Sequence, residues 1–239
     1  MMRLDKMLAN LGYGSRKDVK LLIRKGQVQI NGVVIKKDDF RLEPEKDEVK
    51  ICDELVVYKP LVYIMMNKPQ GVISATEDKV HQTVVDLVKG YEHYHIYPVG
   101  RLDKDTEGLM LLTNDGILAR ELLFPSKNAS KKHYAKLEKV GKQEDIKRFA
   151  EGLVISSGHH CKPAVLEYIN EKEAYITITE GKFHQVKLMF EAVGNKVVYL
   201  KRLEMKGLKL DPNLKLGEYR ELTKEEMEIL NIASLHKNC

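Results

Sequence analysis

Tyr97-Pro98-Val99-Gly100-Arg101-Leu102-Asp103-Lys104-Asp105-Thr106-Glu107-Gly108-Leu109-Met110-Leu111-Leu112-Thr113-Asn114-Asp115-Gly116 is a charged, glycine-bounded loop delivered into an apolar run. Glycine lets backbone approach backbone closely, so this loop is able to present Asp103 inside a cleft between fixed elements. Taken alone, an aspartate in such a loop is more often a turn or capping residue than a catalytic one. The apolar run at 109–113 reads as a buried strand, and residues 117–123 read as a helix.

Outward from this stretch the same texture recurs. Strand-like runs fall at 62–66, 134–140, 174–179 and 197–200. Helical patterns fall at 83–89, 143–151, 183–193 and 223–232, the last opened by a Thr223/Glu226 capping box. Strands mixed irregularly with helices predict an α+β fold, a mixed or antiparallel sheet flanked by helices, rather than a doubly wound one. There is no internal repeat.

The N-terminal stretch is different in kind. Leu4, Met7, Leu8 and Leu11 recur at helical spacing until Gly12 and Gly14 stop them. Ser15 with Asp18 forms an acidic capping box for a second helix, whose buried stripe is Val19, Leu22 and Ile23. Lys17, Lys20 and Arg24 line another face of it. Beyond Gly26, Asn31-Gly32 between alternating apolar residues is a strong hairpin signal. Residues 1–37 hold nine Lys and Arg against two acids, whereas the whole chain is only +5, so the rest is slightly acidic. This asymmetry suggests a polyanion-binding module joined to a body of different purpose, with the boundary near residue 60. The expected domains are therefore 1–60 and 61–239.

Several classes are set aside. No run approaches the roughly 18 apolar residues of a membrane span, and the first residues are too polar for a secretory leader. Cys52, Cys161 and Cys239 suggest neither a disulfide framework nor a zinc knuckle. A cytoplasmic protein is expected. His93 with His95, and His159-His160-Cys161, lack metal-ligand spacing, so no metal is expected. There is no phosphate-binding Gly-x-x-x-x-Gly-Lys loop and no nucleophile elbow.

Two resemblances sharpen this reading. Arg3-Leu4-Asp5-Lys6, Ser15-Arg16, Arg24-Lys25-Gly26 and the hairpin resemble the α-L RNA-binding domain, named after a small-subunit ribosomal protein. Gly100-Arg101-Leu102-Asp103 followed by Asp105-Thr106-Glu107-Gly108-Leu109 resembles the catalytic motif of pseudouridine synthases of the RsuA family. Asn67-Lys68-Pro69-Gln70-Gly71, Lys132-His133-Tyr134 and Glu180-Gly181-Lys182-Phe183-His184-Gln185-Val186-Lys187 resemble three further motifs of that family, in order. Leu188 departs from it, standing where a second basic residue is common.

The resemblance implies an isomerase that needs no cofactor. It makes Asp103 the catalytic carboxylate, Lys187 its cationic partner and Tyr134 the ring stacked on uracil. Arg101 would fill the space of a flipped uridine, bind phosphate or pair with Asp105. Lys17, Lys20, Arg24, Lys132, His184 and Gln185 would contact RNA, and Asp105 would fix the loop. Lys162-Pro163-Ala164-Val165-Leu166-Glu167 and the 190–198 segment resemble the branch that modifies uridine-516 of 16S rRNA. The implied partner is 16S rRNA, naked or in a partly assembled small-subunit particle, bound by a monomer. Two alternatives are a synthase acting on 23S rRNA and a non-catalytic ribosome-assembly protein. A glycosidase lacks a second acid.

Overall fold

The computed structural model describes residues 1–236, and Cys239 lies outside them. The chain divides into two compact units, Met1–Val62 with Lys89–Ile96, and Tyr63–Val88 with the residues from Tyr97 onward.

In the first unit, α1 (Leu4–Asn10) and α2 (Arg16–Arg24) pack Leu4, Met7, Leu8, Val19 and Ile23 into one core with Val28, Leu42 and Val49. The Ser15 hydroxyl accepts the Asp18 amide and the Asp18 carboxylate accepts the Ser15 amide, closing the capping box. β1 (Val28–Ile30) and β2 (Val33–Val34) form the hairpin, its turn residues Asn31 at φ 51° and Gly32 at φ 80°. Two successive positive φ angles are what a two-residue turn needs to follow the twist of its strands. β3 (Val49–Ile51) pairs with the other edge of β1. The basic face of α2 is partly neutralised. Lys20 lies 3.8 Å from Asp5 and Arg24 2.7 Å from Asp38, while Lys17 is exposed and has no ion pair among the described residues.

The second unit is built on one mixed sheet. Its strands are β4 (Tyr63–Lys68), β5 (Glu107–Thr113), β6 (Lys131–Leu137), β7 (Val165–Asn170), β8 (Glu173–Ile178), β9 (Val197–Met205) and β10 (Tyr219–Glu221). They lie in the order β7-β8-β6-β9-β5-β4-β10, and along this path only β9 and β5 run parallel. Short pieces at Tyr97–Pro98 and Leu208–Lys209 extend it, and α3 (Gly116–Leu123) follows β5.

Directly paired residues share a face. One face carries Ala135, Leu166, Ala174, Ile176 and Leu200, covered by α4 (Gln143–Glu151) and α5 (Gln185–Ala192) through Phe149, Val186, Met189 and Phe190. Phe149 is fully buried with its ring 5.1 Å from Phe190. Truncating such a side chain to alanine costs about 3–5 kcal/mol. The other face carries Lys132, Tyr134, Lys136, Tyr175, Tyr199 and Lys201.

Several elements differ from the sequence expectation. Residues 83–89 form turns, not a helix: the Val84 amide donates to Ile73 and Thr83 bridges the same residue, so the backbone is committed sideways. The helix expected over 183–193 starts at Gln185, because His184 sits at φ 50°. The C-terminal helix stops at Ile229, and Asn231 at φ 56° starts another turn of helix. β7 was not anticipated; it is an edge strand with only Leu166 buried, so its apolar pattern is weak.

Candidate active site

The loop between Gly100 and Gly108 is pinned from beneath. Gly108, at φ 103°, packs so closely on β9 that a Cβ there would lie 2.2 Å from the Arg202 carbonyl oxygen, so only glycine fits. Lys68, fully buried at the end of β4, donates from Nζ to the carbonyls of Asp103 (3.0 Å), Thr106 (2.9 Å) and Pro69 (3.0 Å). Burial lowers its pKa to about 8, opposed by the charges of Asp103, Asp105 and Glu107. Ser74 brackets Leu102, accepting from its amide and donating to its carbonyl, each at 2.9 Å. The Gly71 amide donates to the Lys104 carbonyl at 2.8 Å. A loop this tightly held presents its side chains in a fixed geometry.

What it presents is Asp103. One of its oxygens lies 2.9 Å from the Lys187 ammonium and the other 3.6 Å from His184 Nε2. Lys187 also donates to Asp105 at 2.6 Å. Burial disfavours the Lys187 ammonium, but hydrogen bonds to Asp105 and Asp103 outweigh it and raise the pKa. Burial likewise disfavours the Asp105 carboxylate, and the bond from Lys187 outweighs it, so that pKa is lowered. Lys187 is held by the first turn of α5, anchored through Val186 in the core. His184 reaches Asp103 from the left-handed residue before the helix, stacked on Phe183 at 3.8 Å. An oriented carboxylate beside a fixed ammonium can attack an electrophilic carbon or stabilise positive charge developing there.

Arg101 is exposed and lines the cavity beside Asp103. Its expected alternative pairing with Asp105 is not formed, because Asp105 is taken by Lys187. Gln185, expected at the RNA, is 3% exposed and its amide is spent within the chain: it donates to Glu180 and accepts from the Lys182 amide. It positions the loop before α5.

Tyr134 and Lys132 lie on the open face of the sheet. The Tyr134 hydroxyl donates to Glu173, its ring lies 6.0 Å from Tyr199, and Tyr199 donates to Glu107, four residues beyond Asp103. Burial, then the bond to Glu173, push the Tyr134 phenol up to about 12. Lys132 lies over the Tyr175 ring at 4.5 Å. The structure thus joins Asp103, Lys187 and His184 directly, while Tyr134 and Lys132 belong to a neighbouring tyrosine–lysine surface; Lys17, Lys20 and Arg24 are on α2 in the first unit.

One trio has metal-ligand chemistry. His159, Cys161 and Glu180 place their donor atoms within 4.8 Å of one another. Glu180 is the member that the His159-His160-Cys161 spacing could not reveal. Its carboxylate already accepts from the Lys162 amide at 2.9 Å and Gln185 at 2.8 Å, which ties it to the loop preceding α5.

Sequence reasoning also missed the role of Lys68, whose only sign is a lysine ending an otherwise apolar strand; and Lys131 and Arg202, which read in the sequence as basic residues around the site suited to RNA, are buried here together with His133.

A mixed sheet that presents a clamped carboxylate beside an ammonium is the class of site this fold defines, and comparison with known proteins assigns the family. The RNA pseudouridylate synthase family matches residues 62–192 and the S4 domain family matches residues 2–49. The chain belongs to the RNA pseudouridylate synthase family, with an N-terminal S4 domain. It is 52% identical to an uncharacterized RNA pseudouridine synthase of Bacillus subtilis, over 96% of this chain and 98% of that protein. It is 38% identical to ribosomal small subunit pseudouridine synthase A of Escherichia coli, over 95% and 98% respectively. A crystal structure of a pseudouridylate synthase, 35% identical, superimposes with a TM-score of 0.68 over 96% of this chain and all of that one. Among the described residues no helix is long and apolar enough to cross a membrane.

Proposed function

We propose that this protein isomerises one uridine of small-subunit ribosomal RNA to pseudouridine, at uridine-516 of 16S rRNA, with Asp103 as the catalytic carboxylate. The observation that carries the reading is the Asp103–Lys187 pair at 2.9 Å, set on a loop whose backbone is clamped by buried Lys68. The 16S target is supported by the name and near full-length coverage of the Escherichia coli relative. Ribosomal RNA as substrate would place its work in the cytoplasm, on naked RNA or an assembling particle, by a monomer.

In this reaction the bond from ribose C1′ to uracil N1 breaks, the base turns, and a bond from C1′ to C5 forms. The proton leaving C5 is balanced by one gained at N1, so nothing is oxidised or added. The Asp103 carboxylate meets the positive charge at C1′ or bonds to it. Lys187 orients the Asp103 carboxylate and balances its charge. Tyr134, with Tyr175 and Tyr199, offers aromatic surface for unstacked bases, and Lys132, Lys136 and Lys201 beside them meet phosphates. Residues 1–60 act as the RNA-binding module, through Lys17, Lys20 and Arg24, and residues 61–239 as the catalytic domain.

The test is incubation of purified protein with 16S rRNA, 23S rRNA and partly assembled small subunits, followed by carbodiimide labelling and primer extension. A new stop at position 516 of 16S rRNA is expected. A stop only in 23S rRNA would move the target, and RNA binding with no stop anywhere would make the protein an assembly factor.

A further inference from the structure

The cavity beside Asp103, about 340 Å³, has a floor whose charges are not matched. Lys131 and His133 are two apart on β6 and so share a face, and Arg202 on β9 is the register partner of His133. Arg202 is 2% exposed. Its Nε donates to the Leu109 carbonyl at 2.8 Å, but its buried Nη2 has no partner. Lys131 is 9% exposed, and its ammonium donates only to the Ala129 carbonyl at 2.9 Å. Among the described residues neither cation forms an ion pair with a carboxylate. His133 Nδ1 and Thr106 Oγ1, also at this cavity, are buried and unpartnered.

Unmatched buried cations are costly, and proteins keep them where something else supplies the counter-charge. Burial, together with Arg202, pulls Lys131 down to about 8, the direction expected of an ammonium awaiting an anion. Arg101, Lys182 and His184 add basic groups at the rim, and among the described residues Asp103 is the sole acid lining the cavity. A guanidinium edge, an ammonium with free N–H groups and a hydroxyl are donors suited to a phosphate.

We propose that Lys131 and Arg202 form a phosphate subsite that holds the backbone phosphate adjoining the uridine on which Asp103 acts. This rests on the synthase reading given above. The subsite fixes the sugar by its phosphate, so that C1′ is carried to the Asp103 carboxylate by an anchor several bonds away.

The same donors would take free phosphate, and nucleotide binding separates the two. Dissociation constants of uridine, uridine 5′-monophosphate and inorganic phosphate are measured by calorimetry on the full chain, wild type, Lys131→Met and Lys131→Arg. The expected result is that the monophosphate binds wild type roughly tenfold or more tightly than uridine. That preference disappears in Lys131→Met, returns in part in Lys131→Arg, and inorganic phosphate competes with the monophosphate but not with uridine. Arg202 packs under Gly108 and its removal endangers folding, so Lys131 carries the test; a far-ultraviolet circular dichroism spectrum matching wild type certifies a folded Lys131→Met, and rescue by Lys131→Arg separates charge from packing.

Equal affinity of wild type for uridine and its monophosphate overturns the proposal, as does a preference that survives Lys131→Met. Binding of inorganic phosphate without competition against the monophosphate overturns it in favour of a free-anion site. A protein that shows the Lys131-dependent preference yet modifies no RNA sustains the subsite and defeats the synthase reading instead.

Discussion

The two units of this chain treat positive charge in opposite ways. The first displays it on α2, where the half-exposed Lys20 lies 3.8 Å from buried Asp5 and the exposed Arg24 2.7 Å from Asp38. The second buries it: Lys68, Lys131 and Arg202 are each less than a tenth exposed, and Lys187 is enclosed between two carboxylates. Exposed charges are screened by salt and interchangeable with their neighbours. Buried ones are fixed in direction and sensitive to single atoms. On the proposed function, the first arrangement supplies affinity for a polyanion and the second supplies chemistry.

Substitutions separate these roles most clearly at the loop. Asp103→Asn is expected to lower the single-turnover rate by about a thousandfold or more while leaving rRNA affinity within a few-fold. Comparable losses of rate and affinity would erase the contrast between the units. Lys187→Met should cost roughly a hundredfold in rate, and Lys187→Arg should recover part of it, because a cation beside Asp103 is what the site requires. If Met and Arg variants behave alike, Lys187 serves packing rather than charge.

Smaller effects belong to the first unit. Replacing Lys17, Lys20 and Arg24 together by glutamine should leave the rate on saturating RNA unchanged and weaken binding. The slope of log affinity against log salt should fall by about 2–3, read from a salt titration. An unchanged slope would remove α2 from the RNA interface.

The mildest consequence is in stability. Unfolded lysines hold their proton to about pH 10.4, whereas Lys68 and Lys131 release theirs near 8 in the folded chain. Between those values the unfolded state binds more protons, so unfolding free energy rises with pH. Below pH 8 both forms are protonated and the penalty of burying charge is present in full. Denaturant titrations from pH 8 to 9, below the range where unfolded tyrosines ionise and oppose the rise, should show it, and Lys131→Met should roughly halve it. A flat wild-type profile would mean that these lysines stay charged when buried.

Much of this architecture was legible because it is local. The Ser15/Asp18 box, the Asn31-Gly32 turn and the helix following Asp115 are set by residues within four positions of one another. Asp103 and Lys187 were reachable only through motif resemblance, since no spacing rule joins residues so far apart. The floor of Lys131, His133 and Arg202 was invisible for a related reason: it exists only once β6 and β9 pair in a register with a bulge after Lys132. Residues 83–89 misled because their pattern reads as helical, while the Val84 amide and the Thr83 backbone are committed to Ile73, so the Thr83/Asp86 bonds close only a turn.

The most direct test is pseudouridine mapping at single-nucleotide resolution on rRNA from cells lacking this protein, rescued with wild type or with Asp103→Asn. The predicted result is one missing pseudouridine in 16S rRNA, restored by wild type and not by Asp103→Asn. A full set of pseudouridines in the deleted cells, or rescue by Asp103→Asn, would contradict it.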